Sequence, residues 1–126
     1  MNISINHLMQ DILNTKDGIA IYCPKTDEYC ILYNDKIKTP GRIRWTMMHE
    51  IGHIVLNHLD IENTAIAKGT LSEEEYVVFE KEADFFASLV LAPPIVLHNL
   101  NIQSPKEIKN ICQLSAEASF YRYDYY

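Results

Sequence analysis

In a chain of 126 residues, one pentapeptide has the residue types and the spacing to do chemistry: His49-Glu50-Ile51-Gly52-His53. On a helix, two residues four apart lie on nearly the same face, about 6 Å apart along the axis. Two imidazoles placed so can both reach one tetrahedral Zn²⁺ at about 2.0–2.1 Å. Glu50 falls between them angularly, where its carboxylate can touch a metal-activated water without ligating the ion. That is the position of a general base in metal-assisted hydrolysis. The bland alternative is a surface helix carrying two solvated histidines. Ile51, Ile54 and Val55 beside the pair point to burial instead, and burying two histidines without a partner is costly.

A catalytic zinc site needs a third protein ligand and an open position. Glu80-Lys81-Glu82-Ala83-Asp84 follows in the next helical stretch, with Phe79, Phe85 and Phe86 indicating that this stretch is buried. Glu80 and Asp84 are four apart and share a face. The reading assigns Glu80 to the metal and Asp84 to orienting an imidazole N–H, with Glu82 as the alternative third ligand. The expected cofactor is one Zn²⁺ on His49, His53 and Glu80, with a bound water in the open position. An HExxHxxGxxH site is excluded because Leu56 and Leu59 stand at the required positions. His58, about 140° further round the helix, is expected to cap or hydrogen-bond near the helix end rather than ligate. His98 and the tyrosines are candidates for a second oxyanion donor, and His7 carries no signal.

These residues need elements to hold them. The pattern predicts a helix over 5–13 ended by Asp17-Gly18, then a β-hairpin of 19–23 and 29–33 turning through Pro24-Lys25-Thr26-Asp27. A helix is predicted from about Arg42 to His58, after a break at Pro40-Gly41. Residues 60–71 read as a loop. Ser72-Glu73-Glu74-Glu75 is a capping box for a helix reaching Leu91, where Pro93-Pro94 stops it. Ser104-Pro105-Lys106-Glu107 caps another, and Ser115 a last short one. The expected fold is one α+β domain over 1–126: a small antiparallel sheet, a hairpin plus a possible third strand, packed on helices in a zincin-like arrangement. A C-terminal helical pair at about 104–122 packs on it.

Composition narrows the classes. The apolar fraction is 48%, enough for a core without staples, and the net charge is −6. That balance argues against disorder and against a nucleic-acid-coating role. A DNA-binding reading of the last helices would rest on Lys106, Lys109 and Arg122 alone. No apolar run approaches the roughly 20 residues of a membrane span, and no secretory signal opens the chain. Three cysteines without a CxxC pair suggest reduced thiols in a cytoplasmic protein. Cys23 and Cys30 flank the hairpin turn and could face each other.

The combined pattern resembles the ImmA/IrrE family of metallopeptidases. The resemblance lies in Arg42-Ile43-Arg44-Trp45-Thr46 leading into HExxH, in Glu80 through Ala87, and in Leu89-Val90-Leu91-Ala92-Pro93. The family has a similar R-x-R-x-T lead, an E-x-E-A-D-x-F-A segment and a leucine-rich stretch ending in proline. Ile108 to Arg122, with Cys112, Ser115 and Ala118, is similar to its C-terminal helical pair. The resemblance covers roughly residues 18–122. It implies a zinc-dependent endopeptidase acting on helix-turn-helix repressors of mobile elements or stress regulons, with His49, His53 and Glu80 as ligands and Glu50 as base. Two departures are the lack of an N-terminal DNA-binding domain, which some relatives carry, and Ala92 where methionine is common.

The expected partner is therefore a protein substrate, with no direct nucleic acid and no membrane. In the expected mechanism Glu50 takes a proton from the attacking water and passes it to the leaving amine. A rival of another class is a metal-binding antirepressor that binds its target without cutting. A structural zinc site would normally be closed by four ligands and richer in cysteine. Arg42 and Arg44 are expected to be solvated, or paired with acids or substrate near the site, and Trp45 to be a core anchor. The Tyr29–Tyr33 strand could bind an extended peptide by strand addition if it edges the cleft.

Overall fold

A computed structural model describes residues 2–8, 17–59 and 72–125. The strands are β1 (Asn2–Leu8), β2 (Gly18–Cys23) and β3 (Glu28–Asn34). The helices are α1 (Pro40–Val55), α2 (Glu73–Leu91), α3 (Pro94–Asn99), α4 (Pro105–Cys112) and α5 (Ala116–Asp124). The α+β class is as expected.

β2 and β3 form the antiparallel hairpin, from Gly18 opposite Tyr33 to Cys23 opposite Glu28. The third strand exists, but β1 runs parallel to β3, so the sheet is mixed, in the order β1-β3-β2. β1 also corrects the expected helix over 5–13: residues 5–8 are strand, and 9–13 lie outside the described residues. The register sets Cys30 opposite Ile21, so Cys23 and Cys30 do not face each other, and all three cysteines are free.

α1 begins at Pro40, which serves as its first residue instead of breaking the chain before it. It ends at Val55, earlier than expected, in a Schellman turn. Asn57 takes a left-handed φ of 63°. Its N–H donates to Ile54 O at 3.2 Å, and the His58 N–H to His53 O at 2.9 Å. α2 opens on the predicted cap: Ser72 Oγ accepts from the Glu75 N–H at 3.1 Å, while Glu75 reaches back to the serine hydroxyl rather than to its backbone N–H. Pro93-Pro94 ends α2 and also starts α3, a short helix the sequence pattern did not suggest. Ser104 and Ser115 cap α4 and α5 as expected.

Two apolar clusters flank the helix pair. Ala20, Ile31 and Ile54, with Ile51 against them, join the sheet to α1. Ala92, Leu97, Ile102, Ile108, Cys112, Leu114 and Ala118 join α3, α4 and α5, with Trp45 and Leu91 packed onto them. Arg122 is buried there and donates from Nε to Ala92 O at 2.9 Å. α1 and α2 pack closely because Gly52 has no side chain: a Cβ there would stand 3.0–3.3 Å from the Phe86 side chain. No described helix is long and apolar enough to cross a membrane.

Candidate metal centre

α1 presents His49 and His53 one above the other, with ring centroids 4.6 Å apart. Their Nε2 atoms approach to 3.0 Å. Glu80, from the facing turn of α2, sets Oε2 at 3.1 Å from His49 Nε2 and Oε1 at 3.2 Å from His53 Nε2. These spacings sit close to the ~3.3 Å edge of a tetrahedron with bonds of about 2.05 Å. The donor set of two imidazoles and one carboxylate could hold a metal ion. Among the described residues, no fourth histidine, cysteine or acid belongs to the group.

The electrostatics describe a pocket made for a cation. Burial works against a charge on His49, yet its bonds to Asp84 and Glu80 win and raise it to about 10. Burial pushes His53 down, against the pull of Glu80. Glu80 is depressed well below the usual carboxylate range: burial opposes its charge, but the two imidazoles outweigh burial. Without a metal, a proton on His49 occupies the place of positive charge.

Around these groups stand further side chains. His49 Nδ1 meets Asp84 Oδ1 at 2.7 Å. His53 is fully buried, and its Nδ1 lies 2.9 Å from His58 Nδ1. His58 is thus hydrogen-bonded past the helix end, as its position suggested, and its Nε2 lies 3.0 Å from Glu82 Oε2. Glu82 points at His58 rather than into the donor group, which removes it as the alternative third ligand. The link from His53 through His58 to Glu82 was missed by sequence reasoning. Its signal was Asn57, a residue type that tolerates the left-handed turn.

Glu50 is 7% exposed and lines a cavity of about 280 Å³ with Gly18, Ile19, Trp45, Thr46, His49, Tyr76, Glu80 and Asp84. Tyr76, one turn before Glu80 on α2, is the tyrosine in that lining. Burial, the charge of Glu80 and a hydrogen bond to it raise its phenol, so it stays protonated. His98 is exposed on α3 and does not line the cavity.

The expected docking strand is corrected. Tyr29–Tyr33 lies in β3, which is paired on both sides, so it offers no free edge. The edge bordering the cavity is β2, through Gly18 and Ile19. Gly18 permits this approach: a Cβ there would come within 2.7 Å of Thr46 Cγ2 and 3.0 Å of Leu32 O. Arg42 is paired, donating from Nε and NH2 to the Asp17 carboxylate at 2.7 and 2.6 Å. Arg44 donates to Gln113 O at 2.9 Å. Trp45 packs edge-on against Tyr121.

Fold, donor set and buried carboxylate together describe a metal-dependent hydrolase. The chain belongs to the Peptidase_M78 family, the IrrE N-terminal-like domains, whose family model matches residues 9–120. It is a metallopeptidase by family, in agreement with the resemblance read from the sequence. No curated protein matches the chain.

Proposed function

We propose that the protein is a zinc-dependent endopeptidase cutting a peptide bond in a protein substrate, a helix-turn-helix repressor of a mobile element or stress regulon. The observation that carries the peptidase reading is the convergence of His49, His53 and Glu80 on one point beside buried Glu50. The repressor reading rests on the family resemblance. Two nitrogens and one carboxylate, with no fourth donor from the described residues, suit catalytic zinc. When bound, zinc supplies Lewis acidity, acidifying water and polarising a carbonyl.

The chain's own residues do the remainder. Asp84 accepts from His49 Nδ1–H and leaves Nε2 free to ligate. Glu50 takes the proton of the attacking water and delivers it to the leaving amine. Tyr76 is a protonated donor in the same cavity, hydrogen-bonded to Glu80, and turning that O–H from Glu80 to the substrate carbonyl would let it share the charge that develops there. The substrate backbone extends along β2, an edge strand among the described residues that borders the cavity.

Incubating the purified protein with candidate repressors, with and without chelator, tests the reading. Fragments that disappear with chelator are expected. Glu50→Gln should keep the metal and lower the cleavage rate by at least about 10²-fold. Undiminished cleavage by that variant would remove Glu50 from its role. A stable uncut complex with the repressor would favour the antirepressor instead.

A further inference from the structure

The two imidazoles of the donor group are supported differently. His49 leans directly on a carboxylate, Asp84. His53 leans on another imidazole: its Nδ1 faces His58 Nδ1 at 2.9 Å. Two ring nitrogens at that distance need one proton between them, and there are two ways to supply it. If His53 donates, its Nε2 keeps a lone pair for a cation. If His58 donates, the His53 proton must sit on Nε2, where it points into the donor group and blocks the ion.

Glu82 separates the two cases. Its Oε2 lies 3.0 Å from His58 Nε2. A carboxylate only accepts, so it draws the His58 proton to Nε2. His58 Nδ1 is then a lone pair, and it accepts from His53. The His58 ring is held in the plane of this alignment by packing. It is buried and stacks on Phe79 with centroids 4.2 Å apart and planes 1° from parallel. The left-handed turn at Asn57 and the His58 N–H bond to His53 O set the ring over His53.

We propose that His58 and Glu82 are positioning residues, a relay that holds His53 in the one tautomer able to ligate a metal ion. The proposal rests on the reading of His53 as a ligand. It makes a half-exposed carboxylate outside the cavity a determinant of metal affinity.

The test uses the full chain in three measurements. In the zinc-loaded protein, where the ion and not the Glu80 carboxylate faces His53 Nε2, ¹⁵N NMR should find His53 protonated at Nδ1 and His58 at Nε2. Zinc affinity by chelator competition should fall about 10–100-fold in His58→Phe, which keeps the stack but not the bonds, and in Glu82→Leu. Glu82→Gln, whose amide oxygen still accepts, should recover much of the loss. The melting temperature of metal-free Glu82→Leu should move little, which separates tautomer control from a merely structural role. A His58 that carries its proton on Nδ1 in the zinc-loaded protein would overturn the relay. So would wild-type affinity in Glu82→Leu and His58→Phe while His49→Ala takes up no zinc. A wild-type protein that takes up no zinc would instead overturn the ligand reading, and the relay with it.

Discussion

His49 stands between two carboxylates, and this decides how the centre responds to pH. Metal-free, it holds a proton on Nε2 up to about pH 10, because Asp84 and Glu80 outweigh burial. Loaded, that nitrogen must offer a lone pair. The proton is therefore bound in the free state and released in the bound state. Between pH 7 and about 9, loading should release close to one proton per ion from this site. Affinity should rise about tenfold per pH unit and level off near 10. Calorimetry in buffers of different ionisation enthalpy measures the release, and a pH-independent affinity would show His49 already neutral. At this scale much of the centre was legible beforehand. His49, Glu50 and His53 share one helix, and Glu80 and Asp84 share another, so fixed spacing relates the members of each set. What was not legible depends on where a helix stops. Continued to residue 58, α1 would carry His58 away from His53; the turn at Asn57 brings it back.

The elements are spaced by residues that lack side chains, and β2 is the sharpest case. A Cβ on Gly18 would meet the γ-methyl of buried Thr46 at 2.7 Å and the Leu32 carbonyl at 3.0 Å. Neither neighbour is the loose end of a flexible chain. Gly18→Ala should therefore push β2 off α1 and cost about 1–3 kcal/mol. Because β2 borders the cavity but carries none of the metal donors, cleavage should fall by more than metal affinity does. Denaturant unfolding and zinc competition on the same variant check both parts; unchanged stability would mean that β2 has room to shift. The elements most legible in the sequence were those with local punctuation. Ser72, Ser104 and Ser115 each cap a helix where expected. β1 was not legible: Ile5, Leu8, Met9, Ile12 and Leu13 fit a helical period, while Ile3 and Ile5 also fit a strand. Parallel pairing with β3, a long-range contact, resolved that ambiguity. The same holds for β3 itself, whose place in the centre of the sheet depends on β1 and leaves β2 as the edge strand beside the cavity among the described residues.

Across the whole molecule, a metal ion on the donor group and the apolar clusters would stabilise different things. The donor atoms all lie on α1 and α2, so an ion would tie two helices that already pack through Gly52 and Phe86. The cluster of α3, α4 and α5 contains none of those donors; Trp45 packs on it and lines the cavity, and Leu91, on the helix of Glu80, packs on it too. Zinc at a hundredfold excess over Kd should add about 2.7 kcal/mol, a rise on the order of 10 °C for a chain of this size. Ile108 is fully buried in the C-terminal cluster, and Ile108→Ala should cost about 2–5 kcal/mol through the cavity it leaves. If the two regions share no partner, the costs add. Metal-free and loaded Ile108→Ala should then both melt lower by nearly the same amount, with the zinc-dependent rise intact. His53→Ala should instead lose the rise altogether. Melting curves of the three proteins with and without zinc decide the matter. A rise that shrinks in Ile108→Ala would show that the C-terminal helices help to set the geometry of the metal centre.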